Sequence, residues 1–133
     1  AIGLTSSAQT FTSDTDGDWN NPLTWGNPVG GAIPGPTSSV IIQNEVTIQS
    51  TTDDAEAAII FMFGGGTGNL IVDGTLTLGV FDGVSIEMDI DPNHVITVNG
   101  TLNHTGSVDV ISGTLTVNGK MTYTPPPVQA NLN

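Results

Sequence analysis

Leu70-Ile71-Val72-Asp73-Gly74-Thr75-Leu76-Thr77-Leu78 reads as two short alternating strands joined by an Asp-Gly corner. Successive side chains on a strand point to opposite faces, so Leu70 and Val72 share one side, as do Leu76 and Leu78. The unit returns downstream. Ile96-Thr97-Val98-Asn99-Gly100-Thr101-Leu102 is a second copy, and Val108–Val117, with its corner at Ser112-Gly113, is a third. Val117-Asn118-Gly119-Lys120-Met121-Thr122-Tyr123 is a weaker fourth.

Two folds produce this pattern. Asn-Gly and Asp-Gly are favoured two-residue turns of antiparallel hairpins. The same dipeptides also serve as corners between two faces of one solenoid turn. Gly74 and Gly100 are 26 residues apart and Gly100 and Gly113 are 13 apart, which is uneven for a solenoid. Yet Gly-Thr-Leu follows the corner three times, at Gly74, Gly100 and Gly113, which a sandwich does not require. The pattern predicts an all-β chain: a short β-solenoid or β-helix-like domain with an irregular N-terminal cap. A β-sandwich or jelly roll is the alternative.

Working outward from the repeats, Val40, Ile42, Val46 and Ile48 alternate with polar residues around Gln43-Asn44-Glu45. Asp53–Phe63 is ambiguous: Asp53 or Asp54 could cap a short helix over Ala55–Ala58. The β-favouring run Ile59–Phe63 decides for a strand from Ala57 to Phe63. Ser13–Ser39 holds Pro22, Pro28, Pro34 and Pro36, and proline has no amide to give a central strand. It reads as a cap, anchored by Trp19 and Trp25, each able to bury a large area. The predicted organisation is an N-terminal strand or arm over residues 1–12, a Trp- and Pro-rich cap over 13–39, a solenoid-like domain over 40–123 and a Pro-rich tail over 124–133. Pro125-Pro126-Pro127 is polyproline-like and ends the ladder.

Composition bounds the function. The 133 residues suit one domain, and only 11% are charged. Lys120 is the one basic residue against 13 Asp and Glu, a formal net charge of −12. Phosphate recognition needs clustered cations, so nucleic acid is excluded as a partner, and anionic membrane surfaces with it. The absence of cysteine removes disulfides, thiolate metal sites and thiol nucleophiles. No apolar run reaches the length of a membrane span. No leader is evident, and Ala1 fits either removal of an initiator Met or cleavage of a leader.

Gly17-Asp18-Trp19, Thr24-Trp25-Gly26, Ile33-Pro34, Val40-Ile41-Ile42 and Val46-Thr47-Ile48 occur in an order that resembles a known entry region. It belongs to β-solenoid modules with a Trp-containing cap, found in structural proteins of marine phages and in bacterial surface proteins. The glycine-rich extracellular G-eight domain is similar. The likeness covers Asp16 to Leu78 and more loosely the rest. It departs at Ser38-Ser39, where the family often carries Asp. It implies a structural part of a virion or cell-surface assembly, outside the cell, and says little of mechanism, since a fold does not dictate a function.

Few residues suggest chemistry. Asp14, Asp16 and Asp18 around Gly17 resemble a calcium loop, with calcium as the candidate ion, although the distal Glu of the complete signature is missing. Asp53-Asp54 and Asp89-Ile90-Asp91 are carboxylate pairs at turns, with no companion cations to serve an anionic transition state. His94 and His104 could share a metal if stacked on neighbouring turns. No Gly-x-Ser-x-Gly elbow is present. Trp19 and Trp25 could instead form a sugar-stacking platform. The expected function is therefore non-enzymatic: a multi-copy virion component such as a capsid decoration or fibre, with a strand-exchanging surface filament or adhesin subunit as alternative and a calcium-dependent carbohydrate-binding module as a third. Open strand edges invite pairing, which predicts homo-oligomers or contacts with other particle subunits. Ile2, Leu4 and Phe11 of the N-terminal strand are the expected subunit contacts.

Overall fold

A computed structural model describes residues 9–62, 68–88 and 93–125. Its strands are β1 (Thr10–Thr12), β2 (Gly17–Asp18), β3 (Ser39–Ile41), β4 (Glu45–Ile48), β5 (Ala55–Ala57), β6 (Ile59–Met62), β7 (Asn69–Val72), β8 (Thr75–Leu78), β9 (Val84–Met88), β10 (Val95–Val98), β11 (Thr101–His104), β12 (Ser107–Val110), β13 (Thr114–Val117) and β14 (Lys120–Tyr123). They stack in three parallel sheets. The first face runs β1-β3-β6-β9-β12, the second β2-β4-β7-β10-β13, and the third β5-β8-β11-β14. From β4 onward every third strand is thus a ladder neighbour, which makes the chain a three-sided β-solenoid and sets aside the sandwich and jelly roll.

The alternation seen in sequence becomes three sets of inward columns. Phe11, Val40, Ile60, Ile86 and Val108 lie in register on the first face. Val46, Leu70, Ile96 and Leu115 do so on the second, with Ile48, Val72, Val98 and Val117 beside them. Ala55, Leu76, Leu102 and Met121 form the third-face column. From Val40 to Leu102 these side chains are buried in one continuous core. Such unbroken stacking contributes most of the stability, at about 1.5–3 kcal/mol for each fully buried aliphatic side chain.

The uneven glycine spacing has a simple cause. Gly74, Gly100 and Gly119 occupy the same corner, between the second and third faces. Adjacent turns approach so closely there that a Cβ on Gly100 would overlap the Gly74 carbonyl oxygen, and one on Gly119 that of Gly100. Asp73, Asn99 and Asn118 precede them and form a ladder. Asn99 Nδ2 donates to Asp73 Oδ1 (2.9 Å) and Asn118 Nδ2 to Asn99 Oδ1 (2.8 Å), 26 and 19 residues apart. Gly113 sits at a different corner, between the first and second faces, in a left-handed conformation (φ +98°). The third Gly-Thr-Leu therefore starts a second-face strand, whereas the other two start third-face strands.

Other local expectations shift modestly. The strand predicted over Ala57 to Phe63 is two strands, β5 and β6, broken at Ala58, and Phe63 lies outside the described residues. Ala55–Ala57 is strand rather than helix because it pairs with β8. In the first turn the third face has no strand. The 3-10 helix Pro22–Trp25 stands there instead, capped by Asn21, whose Oδ1 accepts from the Leu23 N–H (3.0 Å).

Candidate functional site

The residues singled out from sequence do not form one site. Asp16 Oδ1 accepts from the Glu45 N–H (2.9 Å), and Asp18 Oδ1 from the Asn20 N–H (3.2 Å). The Asp14 N–H donates to the Thr24 carbonyl (2.8 Å). Two of the three carboxylates thus hold backbone, and no three His, Asp or Glu among the described residues converge where a metal ion could sit. His94 and His104 stand at different corners. His94 is buried just before β10, while His104 ends β11, with Nδ1 2.8 Å from the Gly106 carbonyl and its ring 5.2 Å from that of Tyr123. Asp53-Asp54 is exposed ahead of β5, and Asp89-Ile90-Asp91 lies outside the described residues.

Phe11, Trp19 and Trp25 come together, but in the core. Phe11 and Trp19 each meet Trp25 edge-to-face, with centroids 6.1 and 5.4 Å apart. Trp25 Nε1 donates to the Trp19 carbonyl (2.9 Å). Their exposures of 3%, 0% and 5% leave no ring face for a sugar. Phe11 is not presented to another subunit. It fills the first position of the first-face column, and β1 pairs with β3 of its own chain. Ile2 and Leu4, also expected at a subunit contact, lie outside the described residues.

The opposite end is the unexpected feature. Val108, Val110, Leu115, Val117, Met121 and Tyr123 occupy the inward columns of the last turn. Their counterparts one turn earlier are almost all completely buried, yet Val110, Val117 and Tyr123 are 39%, 41% and 57% exposed and the other three half-buried. Nothing among the described residues covers this row. The outer edges of β12, β13 and β14 likewise pair with no described strand. Covering the row would contribute on the order of 1 kcal/mol per side chain. One end is sealed by aromatics and the other presents apolar side chains ringed by open ladder edges.

Charge divides along the same axis. Twelve of the 13 carboxylates fall within residues 1–91, and beyond them only Asp109 and Lys120 are charged. The last turn is formally neutral on a strongly acidic molecule. Among the described residues the amide ladder also ends here, at Asn118, which is exposed.

Sequence reasoning anticipated open strand edges but assigned the contact residues to the N-terminal strand, because the last turn alternates just as the earlier ones do. The available signals were Pro125-Pro126-Pro127, which lack amide donors for another turn, and the disappearance of acidic residues after Asp91. The three sheets otherwise present no concave pocket among the described residues, and no described helix is long and apolar enough to cross a membrane. The chain matches no protein-family model, no curated protein and no solved structure.

Proposed function

We propose that this chain is a non-enzymatic assembly protein of a multi-copy structure in which its open end makes a subunit contact. The observation that carries the reading is the exposed inward row of the last turn, framed by three strand edges that pair with no described strand. Open edges and contiguous apolar surface are costly to leave in solvent and mark contact sites. The smooth faces and the acidic surface fit a particle part better than a substrate-binding protein. The resemblance of the Trp-containing entry region to phage and bacterial surface modules points to a virion component, such as a decoration or fibre, as the setting.

Immunogold electron microscopy of the native source tests this. Gold on a repetitive particle or fibre is the expected result, and gold confined to free, unassembled protein overturns it. Leu115→Asp places a charge on the open end while leaving the buried turns intact. It should lower incorporation at least tenfold relative to Thr77→Asp, which alters an exposed outward position on β8. Equal incorporation of the two variants would sink the assignment of the open end.

A further inference from the structure

We infer that the occupant of the open end is the open end of a second copy, the two last turns meeting across a two-fold axis to give a closed dimer. This rests on the proposed assembly role and names its first contact.

Four observations converge on a second copy. The row Val108, Val110, Leu115, Val117, Met121 and Tyr123 is apolar throughout, so it complements itself. A two-fold axis perpendicular to the solenoid reverses strand direction. The three outer edges would then meet antiparallel, one strand against its own counterpart and the other two each against the other's, a geometry in which unpaired amides and carbonyls satisfy one another. The chain's own continuation is a poor substitute, because Pro125-Pro126-Pro127 follows β14 closely and offers no amide donors for a next ladder strand. Finally, the charge partition admits a like molecule only at this end.

The electrostatic argument is quantitative. Ladder strands are about 4.8 Å apart. On the last turn itself the one carboxylate, Asp109, is matched in formal charge by Lys120. The next, Glu87 on β9, lies three ladder spacings from its counterpart along the axis when the last turns are in contact, about 14 Å, beyond the screening length of about 8 Å at physiological salt. The acidic first turns point outward, farther still. The same features disfavour an endless head-to-tail stack. That arrangement would set the apolar row against an end where Phe11, Trp19 and Trp25 are already covered, and beside Asp14, Asp16 and Asp18. Asn118, last in its ladder, carries both a donor and an acceptor and so suits an identical partner.

Sedimentation equilibrium of the full chain should show a monomer–dimer equilibrium with no larger species. Leu115→Asp and, separately, Val117→Lys should weaken dimerisation at least tenfold while keeping the far-ultraviolet circular dichroism of the parent. A strict monomer at millimolar concentration overturns the inference, as does growth without limit. Because the chain has no cysteine, single spin labels report orientation. Thr116→Cys, at the open end, should give a pair separation within about 20 Å, and Thr15→Cys, at the capped end, one of about 43 Å or more, nine ladder spacings apart. Equal separations of about 24 Å at both sites, five ladder spacings, would mean head-to-tail stacking and overturn the two-fold arrangement. A monomer whose immunogold label still decorates a particle removes this inference and leaves the assembly role standing.

Discussion

At the residue scale, the corner glycines carry the tightest constraint. Gly100 is required because neighbouring turns touch backbone to backbone at its corner, not because its dihedrals are unusual; a methyl group would strike Gly74 and Asp73 carbonyl oxygens. Gly100→Ala should destabilise the fold by about 1–3 kcal/mol, the usual cost of overpacking, as measured by urea denaturation. Gly35→Ala is the contrast. It has open space around it and no left-handed backbone, so the substitution should be neutral or stabilise by up to about 1 kcal/mol through the unfolded state. If both substitutions cost the same, close approach is not what selects glycine at Gly100.

At the element scale, β1 matters beyond its three residues. It begins the first-face ladder, and Phe11 closes the column that continues with Val40. Phe11→Ala should cost about 3–5 kcal/mol, read as a lower urea midpoint; a shift below about 1 kcal/mol would show that the cap holds without it. This element also marks the limit of what is legible in sequence. The alternation of Leu70–Leu78 and its copies makes the strands and the solenoid readable, since period two and a recurring corner are local properties. Which strand lies beside which is not local. Gly113 matches Gly74 and Gly100 in its neighbours, and only the register places it at another corner. Phe11 reads as free for a neighbouring subunit, and only the pairing of β1 with β3 shows that it is used within its own chain. Asp16 and Asp18 resemble ion ligands because the motif does not reveal their backbone partners, Glu45 and Asn20.

At the scale of the whole molecule, charge and an uncovered end matter most. A formal charge of −12 with a single cation produces self-repulsion that salt screens. The melting temperature should rise by several degrees between about 10 and 200 mM sodium chloride, where the screening length falls from about 30 Å to below 10 Å. A melting temperature that falls or stays level would mean that the crowded carboxylates do not oppose folding. The open end could be found only at this scale, because no single strand of the last turn differs in pattern from its predecessors; what sets them apart is that no further described strand pairs with them.

The sealed aromatic cap makes the molecule a ruler with a fixed zero mark. Turns in a solenoid contact only their neighbours, and here the aromatic seal closes one end. Length can therefore be changed at the far side without disturbing the start. The last register step is 19 residues, so splicing in one further turn of that length after β11 would move the contact surface outward by about 4.8 Å and turn it about the solenoid axis only by the twist of a single rung. A small set of such insertions would make reach an adjustable property, independent of the chemistry at either end.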